Sequence, residues 1–382
     1  MEPNAPKRGM FRKFCLAAGM CVLSFLILEG LGSTLFVIGH GLPSGPQTLS
    51  GRAVRYDADL GWSPVPNFSD RNYFAPATPL QTNSRGFRSS EELAPQVPAG
   101  KIRVICSGDS FTFGEGVGND DTWCQFLESL DNRIQAVNLG ESGYGVDQMY
   151  LRYLRDGAPL DHGVHIFAFI TEDFRRMWLS NYIGYEKPFL TLQDGQLVAE
   201  NTPVPNRAYS PPWTDRLLTS LADFRSMQLA RDLRKRAMPT PEDAFSNGPD
   251  ERQAQVLDKM FENLRSAEAQ RNGVLLLLYL PTTLHDFEQG GGSPAWRKWL
   301  RDEAAKRGIL LVDLVGEFQA MSITMKNGYF IWPGSEQYFA AGPGHYDDEG
   351  HLWVAKHVYA KLASLTQFAG KVARRPETHS HK

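Results

Sequence analysis

From Lys101 onward the chain alternates short apolar runs with helical stretches, and few folds accept that pattern. The apolar runs are IRVIC, AVNLG, VHIFAFIT, VLLLLYLP and ILLVDL. Helical stretches fall near Asp121–Leu130, Val146–Arg155, Glu251–Gln270 and Pro294–Arg307. Apolar strands bounded by turn residues and separated by helices imply right-handed βαβ crossovers and a parallel sheet covered on both faces. The pattern predicts a three-layer α/β domain on a sheet of about five strands.

Composition removes several function classes. With 382 residues, 42% of them hydrophobic and 22% charged, the chain can bury a substantial core. Forty Lys and Arg against 43 Asp and Glu leave a net charge of −3, with no basic excess to neutralise a phosphate backbone, so nucleic acid is not an expected partner. Cys15, Cys21, Cys106 and Cys124 make neither a CxxC pair nor a zinc spacing. They read as buried free thiols, with a Cys106–Cys124 disulfide as the alternative. No metal or cofactor is expected. GEGVGN lacks both the GK[ST] ending and the GxGxxG run of a nucleotide site, so its glycines read as loop glycines.

The N-terminus sets the compartment. Lys7, Arg8, Arg12 and Lys13 precede Phe14–Ile38, an apolar run interrupted only by Glu29 and small residues. About 25 residues at ~1.5 Å each suffice to cross a hydrocarbon core of ~30 Å. The basic flank predicts a cytoplasmic segment 1–13, a membrane anchor 14–40 and export of all that follows. A cleaved signal peptide is the competing reading. Beyond the anchor, residues 41–98 read as an extended lead segment packed on a main domain, 99–368. Residues 175–250 read as an insertion at the ligand end of the sheet, and 369–382 as a disordered tail. Asp347 is a good N-cap for the last helix.

The sharpest chemical signal is Ser107-Gly108-Asp109-Ser110-Phe111, directly after IRVIC. Gly108 permits a tight turn, and Ser110 would emerge at the carboxyl end of a parallel strand, where a serine nucleophile belongs.

With its neighbours, this stretch resembles the first block, GDSFTFGEGV, of the SGNH or GDSL hydrolase family. NLGESGYG resembles the second block, with Gly143 five residues after Asn138. FITEDF resembles the third and GHYDDEGHLWVA the last, while YDADLGWSPVPN and NSRGFR look like stretches of membrane-anchored bacterial members. The resemblance implies a flavodoxin-like domain that hydrolyses or transfers acyl groups through a serine ester. It implies Ser110 as nucleophile and the amides of Ser110 and Gly143 in an oxyanion hole.

Two positions depart from the family. Glu172 stands where the family has an oxyanion-hole Asn, so it must be protonated, turned away, given to a substrate hydroxyl, or paired with Arg175 or Arg176. For the general base, Asp348-Glu349-Gly350-His351 fits the family's D-x-x-H letters. His345-Tyr346-Asp347 fits its placement in the loop before the last helix, so His345 is the expected base and His351, with Asp348, the alternative. Gly342 and Pro343 occupy the family's Asp positions, leaving a backbone carbonyl or another acid, such as Asp348 or Glu336, to orient the imidazole. His162, His165 and His285 read as ordinary core or surface residues.

The expected function is an envelope-anchored serine acylhydrolase or acyltransferase. Its substrate would be an acylated small molecule or glycan, O-acetyl groups on an envelope polymer included. The reading from a different class is a degenerate relative that binds a glycan or scaffolds an envelope assembly. Protein partners are left open.

Overall fold

The structure is a computed structural model that describes residues 7–40, 53–206, 224, 248–284, 286–287, 294–333 and 342–368. Parts of the predicted lead segment and insertion, the C-terminal tail, Glu336 and His285 lie outside the described residues.

The first of two compact units contains helix α1, Lys7–His40. Its stretch Arg12–Gly32 has 21 residues, about 31 Å at ~1.5 Å each, long and apolar enough to cross a membrane. Phe14, Leu16, Val22, Leu23 and Leu26 are exposed on it, as are Cys15 and Cys21, which the sequence reading had buried.

The second unit opens with two antiparallel hairpins, β1 (Val54–Asp57) with β2 (Gly61–Pro64), and β3 (Ser69–Ala75) with β4 (Thr78–Gln81). The central strands follow: β5 (Ile102–Gly108), β6 (Ile134–Gly140) and β7 (Val164–Phe169). Short hairpins β8 (Asn181–Tyr182) with β9 (Tyr185–Glu186), and β10 (Phe189–Gln193) with β11 (Gln196–Glu200), occupy the start of the predicted insertion. Strands β12 (Val274–Tyr279) and β13 (Leu310–Asp313) complete the central sheet. Its order is β13-β12-β7-β5-β6, with every pairing parallel. Counted along the chain the five strands lie 2-1-3-4-5, the flavodoxin-like order, whose switch point falls between the first and third strands. Here that is the gap between β5 and β7, beside the Ser110 turn.

Helices α2 (Ser110–Phe113), α3 (Trp123–Leu130), α4 (Val146–Arg152), α5 (Thr171–Arg176), α6 (Glu251–Gln270) and α7 (Pro294–Arg307) interleave with the strands. They are followed by α8 (Val315–Ala320), α9 (Ile323–Asn327) and α10 (Asp348–Ala363). Alternation along the strands separates two cores. Val104, Cys106, Ile166, Leu276 and Leu278 pack with Trp123 and Leu127 of α3 and with Val354, Val358 and Leu362 of α10. Ile105, Leu139, Phe167, Leu275 and Leu277 pack with Met149 of α4, Leu257, Met260 and Leu264 of α6, and Trp296 and Leu300 of α7. A central strand buried on both faces has no room for polar alternation, which is why these runs read as continuously apolar.

Cys106 and Cys124 are buried and unbridged. The lead segment is tied in by buried guanidiniums. Arg88 donates to the carbonyls of Phe113, Gly114 and Val117, closing off the end of α2, and Arg103 of β5 donates to the carbonyls of Ala94, Pro95 and Gln96.

Leu277 is fully buried in β12. Replacement by Ala is expected to cost about 2–5 kcal/mol through lost transfer energy and a residual cavity. Denaturant unfolding should show a lower midpoint at an unchanged slope.

Candidate active site

The carboxyl ends of β5 and β6 are built for close approach. Gly108 and Gly140 are paired in register, and a Cβ on them would lie 2.0 Å from the Thr112 hydroxyl and 2.2 Å from the Phe113 amide nitrogen, respectively. Two glycines therefore let α2 lie directly across the strand ends. Asn138 of β6 locks it there, donating from Nδ2 to the Thr112 carbonyl at 2.8 Å and accepting the Gly140 amide at 2.9 Å. Asp109 caps α2, accepting the Phe111 amide at 2.9 Å, and Gly114 at φ 88° ends it. Ser110 is thereby fixed as the first residue of a single helical turn.

The histidine arrives from the far end of the sequence. His345 Nε2 lies 2.8 Å from Ser110 Oγ, and His345 Nδ1 lies 3.2 Å from the Gly342 carbonyl oxygen. Its backbone is held on both sides: the Ile331 amide donates to the His345 carbonyl at 2.8 Å, and Phe330 bridges Tyr346. The Phe111 ring packs 4.9 Å from the imidazole, tilted 36°. Asp347 caps α10 and accepts the Gly350 amide at 2.9 Å; burial pushes its carboxyl up to about 6.

His351 is elsewhere. It is buried one turn inside α10, accepting the Trp123 amide at Nδ1 over 3.2 Å, and burial depresses its imidazole to about 3. His162 and His165 are also buried, in a cluster with Tyr153 and Glu268 beneath the sheet.

Gly143 adopts φ +79°, and a Cβ there would lie 3.1 Å from the Tyr182 ring. Its amide has no hydrogen-bond partner among the described residues. Glu172 sits in the first turn of α5, its carboxylate accepting from Arg175 Nε at 2.8 Å. Pairing with Arg175 or Arg176 was one of the alternatives for Glu172, and the structure shows the Arg175 contact.

Arg176 takes a role that local spacing did not reveal. Its buried guanidinium donates to Asp173 at 2.8 Å, to the Tyr144 carbonyl at 3.2 Å and to Asp109 at 3.4 Å. Burial raises both carboxyls, while Asp173 and Asp109 hold the guanidinium above its usual range against its own burial. Lys187 and Asp147 form a second buried pair at 2.5 Å, joining the start of the insertion to α4. Among the described residues, no group of three or more His, Cys, Asp or Glu could hold a metal ion.

The 2-1-3-4-5 strand order, with Ser110 and His345 in contact over the end of its first strand, decides the type of fold. It is a flavodoxin-like α/β fold. No protein-family model matches the sequence, and neither does any curated protein. Among solved structures the chain is similar to a lipolytic G-D-S-L protein from Veillonella parvula, at 15% identity, covering 69% of this chain and 100% of that one, with a TM-score of 0.38. It is also similar to a putative lipolytic G-D-S-L protein from Desulfitobacterium hafniense, at 13% identity, 68% and 99% coverage and a TM-score of 0.38. An acetyl xylan esterase matches at 14% identity, 68% and 100% coverage and the same score.

A buried histidine that stays neutral in the native state takes up its proton on unfolding. With the folded value near 3 against an ordinary 6.5, the stability held by His351 is complete above about 6.5 and is lost as pH falls toward 3. Thermal melts of His351→Asn should therefore depend less steeply on pH across that window, by about one proton. A profile parallel to that of the unaltered protein would contradict the assignment.

Proposed function

We propose that the protein is a membrane-anchored serine esterase or acyltransferase, with Ser110 as nucleophile and His345 as general base. The observation that carries this reading is the 2.8 Å contact between Ser110 Oγ and His345 Nε2 at the carboxyl end of β5. A carbonyl can only accept, so the Gly342 oxygen favours the proton on His345 Nδ1 and leaves a lone pair on Nε2 facing the hydroxyl.

The chemistry follows from that arrangement. His345 takes the Ser110 proton as Oγ attacks the acyl carbon, and the amides of Ser110 and Gly143 receive the developing oxyanion. The imidazolium returns its proton to the departing alcohol, leaving an acyl-serine. Water, or a second alcohol, then enters by the reverse path. Gly342 supplies the orientation that a carboxylate supplies in a triad, where replacing that carboxylate can cost ~10⁴ in kcat.

The apolar stretch of α1 and the basic residues before it favour an anchor with the catalytic unit exported, where ester-linked acyl groups on glycans are a fitting substrate class. Glu172, at the family's Asn position, favours the second reading, a relative that binds without turnover. Pairing with Arg175 offsets the charge that an isolated carboxylate would set against an oxyanion.

The deciding experiment uses the full-length protein in detergent. A fluorophosphonate probe should label it covalently, and Ser110→Ala should abolish labelling. Turnover of p-nitrophenyl acetate should fall at least about a hundredfold in both Ser110→Ala and His345→Asn. Folded protein that neither labels nor turns over any short ester would favour the binding reading instead.

A further inference from the structure

Glycine is an awkward residue to aim. Without a Cβ it samples positive and negative φ almost equally, so a glycine amide that must point at a reacting oxygen has to be fixed through its neighbours. Gly143 is fixed on both sides, and the same residue of the lead segment reaches both. The Trp62 indole Nε1 donates to the Ser142 carbonyl at 2.9 Å, while the Trp62 carbonyl accepts the Tyr144 hydroxyl at 2.5 Å. The two rings meet edge to face, 5.6 Å apart.

The remaining polar groups of Ser142 are also occupied. Its amide donates to Glu141 Oε1 at 3.1 Å, and its hydroxyl donates to Glu115 Oε2. Trp62, Glu115, Glu141 and Tyr144 are all buried, so these bonds face little competition from water. The residue that leads into β2 is itself anchored to α4, because Gln148 Nε2 donates to the Leu60 carbonyl at 2.8 Å. A stretch 80 residues from Ser142 in sequence thus grips the turn that carries the oxyanion donor.

We infer that Trp62, assisted by Glu115, is a positioning residue for the Gly143 amide, making the lead segment part of the catalytic apparatus. The inference rests on the esterase reading for its kinetic consequence, though not for its structural one. An oxyanion contact strengthens only in the transition state, so loosening it should lower kcat and leave KM nearly unchanged.

The test compares Trp62→Phe and Tyr144→Phe, each of which keeps a ring and removes one hydrogen-bonding group or its partner, with the unaltered full-length protein. Expected are a drop in kcat of about ten- to a hundredfold per fluorophosphonate-titrated site, KM within about twofold, and faster amide exchange across residues 141–145. Glu115→Gln, which keeps an acceptor for the Ser142 hydroxyl, should recover most of what Glu115→Ala loses. Unchanged exchange at 141–145 in folded Trp62→Phe, or a kcat within twofold of the parent, would overturn the inference. If the parent neither labels nor turns over esters, the esterase reading fails alone, and exchange still decides whether Trp62 holds the turn. Should Trp62→Phe not fold, Tyr144→Phe and the Glu115 pair carry the same comparison.

Discussion

The face that carries Ser110 and His345 depends on one buried cation. Arg176 touches Asp109 in the turn after β5, the Tyr144 carbonyl in the turn after β6, and Asp173 in the helix after β7, so a single guanidinium spans three adjacent strand ends. All three contacts leave from one terminal nitrogen, Nη1, which sits where the three turns converge. The arrangement also explains its own persistence. Without Arg176, two carboxyls already pushed upward by burial would be left uncompensated beside Ser110, and removing one partner of a buried pair commonly costs about 3–5 kcal/mol.

Segments outside the recognisable blocks complete that face. Lys187 enters from the start of the insertion and meets Asp147 of α4 while donating to the carbonyls of Arg176, Leu179 and Pro188. Burial lowers the ammonium and raises the carboxyl, and each partner opposes the shift of the other. The lead segment contributes from another side through Arg88 at the end of α2 and Trp62 at the Gly143 turn. The α2 turn and the Gly143 turn are short and carry several glycines, while Phe111, Phe113 and Tyr144 bury their rings. Distant segments add hydrogen bonds to the carbonyls of both turns.

How much of this was legible in sequence follows from what produces a local signal. The inner strands β5, β7 and β12 were legible because burial on both faces leaves them largely apolar, and α6 and α7 because their apolar spacing runs through several turns. The hairpins β1–β4 and β8–β11 were read only as extended or irregular sequence. Strands of two to seven residues, several without clean alternation, offer too few positions for a period to emerge. Val146–Arg155 was read as one helix, yet α4 ends at Arg152 and the chain winds on as a wider π turn over Tyr153–Gly157. Arg176 was weighed only against Glu172, its neighbour four positions back. Its partners Asp109 and Tyr144 lie 67 and 32 residues away, beyond any local rule.

The two histidines near the C-terminus show why context outweighed letters. His351 faces a backbone N–H with Nδ1, a group that can only donate, so its proton belongs on Nε2 in a fully enclosed site. His345 faces a backbone C=O with Nδ1, a group that can only accept, so its proton belongs on Nδ1 and its lone pair on Nε2. Six residues apart, the pair are thus driven toward opposite tautomers by the peptide groups beside them. Only the loop histidine has a basic nitrogen turned toward Ser110. Reversing the assignment would require withdrawing His351 from the core between α3 and α10, where the D-x-x-H letters happen to fall on the helix rather than before it.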